Sequence, residues 1–227
     1  MTHPSLAYPG ATLVRTGAER ATLVRRTYAL VLASVLVTIG GAAFGLSQPQ
    51  LMAAVARHPI ITFICMLAPL WMAMRARRSF PQNILLTFLF TFVEGVWISP
   101  LIYVYGRTQP GVVGQAALLT LSSFGVLTLY AFVSRRDFSA WGGFFTVGLW
   151  VLIATSLLNL FFQNTTASLW ISAGAVLVFS GLLVFDTWRL RNVFGPEDYV
   201  AAAVQIYLDL LNMFVAILNL LGGGRRN

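Results

Sequence analysis

Lysine is missing from this chain: all 15 basic residues are arginine. Charge of either sign is scarce, at 10% of residues, and only seven residues are acidic. Soluble domains carry about 25% charged residues. With 58% hydrophobic residues and a mean hydropathy of +0.78, the composition excludes a water-soluble globular domain and points to a polytopic membrane protein. The single cysteine, Cys65, lies in an apolar run. It excludes an internal disulfide and reads as a small buried hydrophobe. Histidine is confined to His3, in the N-terminal stretch, and His58, at the edge of an apolar run. There is no H-E-x-x-H and no Ser–His pair at membrane depth. No enzyme activity and no cofactor are expected. The formal charge of +8 would suit nucleic acid if the arginines covered a soluble face. They flank apolar runs instead, so no nucleic-acid partner is expected and the lipid bilayer is.

What is present is a series of seven apolar segments. They fall at about 27–46, 59–74, 83–105, 111–133, 141–162, 168–190 and 199–221. A helix needs about 20 residues to cross the hydrocarbon core, so the second is short. The chain reads as an all-α bundle of seven transmembrane helices, residues 27–221. A polar N-terminal tail (1–26) precedes it and a short C-terminal tail (222–227) follows it. The tail has no apolar stretch of signal-peptide length, so insertion is expected to use the first span.

Arginine counting sets the orientation. Arg15, Arg20, Arg25 and Arg26 precede the first span. Arg75, Arg77 and Arg78 follow the second, Arg135 and Arg136 the fourth, and Arg189 and Arg191 the sixth. The opposite loops hold only Arg57 and Arg107. The N-terminus is therefore expected on the cytoplasmic side, of the cell inner membrane if the source is prokaryotic. Arg225 and Arg226 then fall outside, against the bias, unless the last segment is re-entrant.

Three acidic residues lie within spans: Glu94, Asp186 and Asp209. A carboxylate at mid-membrane costs about 2.5–3.5 kcal/mol on insertion scales, which makes each a candidate for function. Asp186 sits a little over one turn from the cytoplasmic end of the sixth span. Asp209 sits about ten residues into the seventh from the same side, so the two can meet in an antiparallel pair. Adjacent carboxylates in low dielectric tend to share a proton, which suits a pH sensor or gate. They also offer oxygens to Ca²⁺, as transient metal ligands. The competing reading pairs Asp186 with Arg189, three residues on along the same helix. Gln205, Asp209, Asn212 and Asn219 follow spacings of four, three and seven, which place them on one helix face. That stripe lines either a wet cavity or a contact between helices; Tyr207 lies well off it. Glu94, beside Gly95 and ahead of Pro100, reads either as lining of the same path or as a neutral packing residue, with a kink at Pro100.

Three segments carry a resemblance: VFDTWRL (184–190), DYVAAAVQIYLDLLNMFVAILNLL (198–221) and EGVWISPLIYVY (94–105). They resemble the Bax inhibitor-1 family (transmembrane Bax inhibitor motif proteins). The resemblance implies a seven-helix bundle with the last helix central. It also implies a pH-sensitive calcium leak, with Asp186 and Asp209 as sensor and gate, and a latch arginine on the second span, for which Arg75 is the candidate. Trp188 stands where the family commonly has glutamine.

The leading expectation is thus a passive leak for cations, Ca²⁺ above all, controlled by protons. The alternative is a non-transporting regulator that binds other membrane proteins in stress or cell-death control. An aspartyl intramembrane hydrolase would also use two aspartates on adjacent spans, but the G-x-G-D form is absent from both. A secondary transporter would show inverted halves with broken helices in matched positions, and none are apparent.

Overall fold

The computed structural model describes residues 17–76 and 79–223. The readings that rest on His3, Arg15, Arg77, Arg78, Arg225 and Arg226 lie outside the described residues. Within them the chain is helical, with no strand: α1 Gly17–Ser47, α2 Pro49–Arg57, α3 Pro59–Arg75, α4 Gln82–Thr108, α5 Val112–Val133, α6 Trp141–Phe162, α7 Thr165–Asn192 and α8 Tyr199–Gly223. A 3₁₀ turn, Pro196–Asp198, joins the last two.

The breaks follow local chemistry. Pro49 and Pro59 occupy the first turns of α2 and α3, where a missing N–H costs nothing and the ring sets a helical φ. Gly111 opens α5 at φ +87°, a left-handed conformation that glycine adopts without strain. Asn164 caps α7, its Oδ1 accepting from the Ala167 N–H at 2.9 Å. Between α7 and α8 the Gly195 N–H donates to Asp198 Oδ2 at 3.0 Å.

Among the described residues six helices are long and apolar enough to span a membrane. The expected second span is broken: α2 and α3 meet at 104° around His58, and the pair makes a seventh span if taken together. At 17 residues, α3 rises about 26 Å, somewhat less than the hydrocarbon core. The sequence reading saw α3 and missed α2, whose nine residues are too few to show a period. The described part of α1 runs from Gly17, ten residues before the first apolar run, within what the sequence suggests is a tail. Leu23 is buried there, and Arg26 stacks on Tyr199 of α8 at 5.9 Å. Packing against α8 extends the helix beyond the apolar run.

α8 is the axis of the bundle. Some 67% of its most apolar window is buried, against 6–39% in the other five long helices. It packs against α1, α4, α5 and α7, whereas α6 rests on α7 at the periphery. Three consecutive alanines, Ala201–Ala203, are buried in its first turns, and small side chains let neighbouring backbones come close. α1 and α4 are the other tight pair. A Cβ on Gly41 would collide with the Phe92 carbonyl, and one on Gly95 with the Thr38 carbonyl. Pro100 lies inside α4, which continues through it. Proline cannot donate to the Val96 carbonyl, and Ser99 Oγ donates to it instead at 2.8 Å.

The first turns of α1 and α8 share one end with the last turns of α5 and α7. There Arg191 of α7 donates to the Phe132 and Ser134 carbonyls that end α5, at 2.6 and 3.1 Å. At the other end Gln109, just past α4, donates to the Gly222 carbonyl at 2.6 Å. α8 is one continuous helix between the two ends. This corrects the re-entrant reading of the last segment: α8 crosses the bundle fully.

Candidate functional site

Asp186 and Asp209 meet where α7 packs on α8. Both are buried, 7% and 4% exposed, in antiparallel helices that pack closely. The two carboxyl groups lie within hydrogen-bonding reach of each other. Asp209 Oδ2 receives no hydrogen bond from the protein. Two carboxylates have no hydrogen between them to share, so this contact is satisfied when one carries a proton.

The pair is not symmetric. Arg189 Nη1 donates to Asp186 Oδ1 at 3.1 Å and to Gln205 Oε1, on α8, at 3.0 Å. The guanidinium carbon sits 4.6 Å from the centre of the Phe194 ring and 5.5 Å from that of Phe185, so two aromatic faces fix its position. The competing sequence reading, Asp186 paired with Arg189, and the facing carboxylates therefore coexist. A cation, an anion and a neutral acid in series (Arg189, Asp186, Asp209) leave no net charge among the three at this buried place.

The other candidates are distributed. Gln205 belongs to the site through Arg189. Asn212 donates to its own helix, Nδ2 to the Leu208 carbonyl at 2.8 Å. Asn219 accepts from the Tyr105 hydroxyl at 3.1 Å and lines an open cavity of about 240 Å³ at the far end, with Gln163, Asn164, Thr165 and Ser168. The stripe on α8 thus runs from that cavity to the carboxyl pair. Met213 and Ala216, both buried, lie between.

Two placements correct the sequence reading. Arg75 does not reach a carboxylate: it is exposed and stacks on Trp71, one turn back on α3, at 5.3 Å. α3 packs on α4 and α2 rather than on α7 or α8. The cation at the pair is Arg189. Glu94 does not share the aspartates' space either. It is 5% exposed and contacts Tyr207, which is two residues and about 160° around the helix from Asp209. α8 itself separates the two. Among the described residues no three His, Cys, Asp or Glu side chains come together to hold a metal. The pair alone would offer a cation a passing contact.

Comparison with known proteins fits the placement of these segments. The family model described as "Inhibitor of apoptosis-promoting Bax1" matches residues 20–227. The chain belongs to the Bax inhibitor-1 family. It is similar to Bax inhibitor 1 of Schizosaccharomyces pombe, 34% identical over 208 residues, 89% of this chain and 77% of the relative. It is similar to the Golgi anti-apoptotic protein of vaccinia virus (strain Lister), 32% identical over 205 residues, 89% of this chain and 85% of that one. Protein lifeguard 4 of Mus musculus is 31% identical over 205 residues, with the same coverage of 89% and 85%. As a Bax inhibitor-1 family member with six or seven spanning helices, the chain is an integral multi-pass membrane protein. Both segments that carry its aspartates fall within the matched region.

Proposed function

We propose that this protein is a passive leak for cations, Ca²⁺ in the first place, gated by protons at the Asp186–Asp209 pair. The observation that carries this reading is the buried series Arg189–Asp186–Asp209 between α7 and α8. In the closed state Arg189 and a protonated Asp209 both hold the Asp186 carboxylate, and α7 stays on α8. A proton added to Asp186 removes the charge that Arg189 grips. The two helices then separate more readily, and the population shifts toward an open state. The polar stripe on α8, from the far-end cavity through Asn219 and Asn212 to Asp209, supplies the path. The arginine-rich end, with the N-terminus, faces the cytoplasm, and in a prokaryotic host the membrane is the inner one.

Liposomes that contain this protein alone test the reading. Ca²⁺ uptake above that of empty liposomes, increasing as the medium is acidified, is the expected result. Absence of uptake at any pH would end it.

A second reading has support in the names of two relatives, the vaccinia virus anti-apoptotic protein and the yeast Bax inhibitor. Here the chain regulates by binding other membrane proteins, and the aspartates serve to hold α7 to α8. This version expects no flux from the purified protein and co-purification with a membrane partner.

A further inference from the structure

On the far side of α8 from the aspartates, Glu94, Tyr207 and Thr38 join three helices. The Tyr207 hydroxyl lies 2.6 Å from Thr38 Oγ1. Thr38 Oγ1 donates to the Ser34 carbonyl at 2.9 Å. Glu94 hydrogen-bonds Tyr207, and its second oxygen, Oε2, is buried without a partner. All three side chains are nearly inaccessible, at 5% for Glu94, 1% for Tyr207 and 5% for Thr38.

The hydrogens can be counted. A threonine hydroxyl has one, and Thr38 gives it to Ser34. Either hydroxyl could donate in the contact between Thr38 and Tyr207; with the threonine hydrogen on the Ser34 carbonyl, that contact uses the one hydrogen of the phenol. Tyr207 has none left for Glu94, so the hydrogen between them belongs to Glu94. The bare Oε2 points the same way: a carboxylate oxygen without a donor in this apolar interior is far more costly than the carbonyl oxygen of an acid. The ionisable residues on the helices packed against α4 do not supply a countercharge. Glu19, Arg20, Arg25 and Arg26 on α1, Arg57 on α2, Cys65 and Arg75 on α3 are all exposed, and α5 has no charged residue. Tyr28 of α1 is turned toward Thr187 of α7. Among the described residues, the ionisable side chain that reaches Glu94 is Tyr207.

We infer that Glu94 is a second proton-binding site, separate from the aspartate pair: a neutral carboxylic acid that donates into the chain Glu94 to Tyr207 to Thr38 to the Ser34 carbonyl. The direction of that chain depends on the proton. If Glu94 loses it, Tyr207 turns its hydrogen to the carboxylate. Thr38 must then donate to Tyr207, and the Ser34 carbonyl loses its side-chain donor. One proton thus sets the hydrogen bonding between α8 and the pair α1 and α4, which Gly95 and Gly41 hold in close contact.

Infrared spectra of the full chain in lipid at neutral pH, in H₂O and D₂O, test this without any transport assay. Wild type should show a deuterium-sensitive carbonyl band from protonated carboxyl groups. Glu94→Gln should remove one component of it, and Asp209→Asn should leave that component in place. Tyr207→Phe, which retains Glu94 and removes its acceptor, should move the same component to higher wavenumber. If Glu94→Gln removes intensity only from the carboxylate bands, or Tyr207→Phe leaves every acid band unmoved, the inference is overturned. The tyrosine variant decides alone if the glutamine variant does not fold. Neither result bears on whether the protein conducts.

Discussion

Arg189 holds Asp186 at 3.1 Å from one turn further along the same helix, and the same guanidinium nitrogen reaches across to Gln205 of α8. One side chain therefore fixes the charge of the carboxylate and the contact between two helices. Its own side chain is 29% exposed, so it can be released toward water, whereas Asp186 cannot.

Replacing this arginine should loosen the α7–α8 contact. Arg189→Gln removes a charge-assisted hydrogen bond and leaves Asp186 buried without its cation, a loss of about 2 kcal/mol. Thermal unfolding in detergent should show the drop, and calcium uptake in liposomes should rise at neutral pH. Arg75→Gln, whose cation stacks on Trp71, should alter neither by a comparable amount.

Gly95, in the α1–α4 seam, should be intolerant of a methyl group, and Gly40, on the exposed face of α1, should tolerate one. In Gly95→Ala the new methyl group meets the Thr38 carbonyl, while Gly40→Ala meets nothing within 4 Å. We expect Gly95→Ala to cost about 1–3 kcal/mol. Gly40→Ala should be neutral or stabilising by up to about 1 kcal/mol, since alanine is the better helix former. Melting temperatures of the two variants side by side make the comparison.

Arg191 ties the end of α5 to α7 through the Phe132 and Ser134 carbonyls. A cation among the last carbonyls of a helix is favourable. Arg191→Ala should cost about 1–2 kcal/mol and increase protease cleavage in the segment 134–140, with the cleavage rate as the readout.

Much of this architecture was legible in the sequence, and the unread portions have physical reasons. A carboxylate in an apolar run is conspicuous, so Asp186 and Asp209 could be named and their meeting inferred from helix rise. The break at α2 is marked by Pro49 and Pro59, yet nothing local dictates how far a nine-residue helix turns from the next. The early start of α1 depends on α8, far away in the chain. Arg189 was visible as the i+3 partner of Asp186, but its reach to Gln205 needs the α7–α8 register. The triad of Glu94, Tyr207 and Thr38 draws one residue from each of three helices. No spacing along the chain encodes it. Pro100 suggested a kink, and the Ser99 hydroxyl that compensates for it was adjacent in sequence but not recognisable as such without geometry.

The most direct test of the gate is calcium uptake by liposomes containing only this protein, measured from mildly alkaline to mildly acidic pH, in wild type and in Asp186→Asn. Asparagine keeps the size of the side chain and removes both the charge that Arg189 grips and the group that takes the proton. The account predicts wild-type uptake that rises as pH falls, and Asp186→Asn uptake that is high and flat across the range. An Asp186→Asn protein that retains the full wild-type pH response would contradict it.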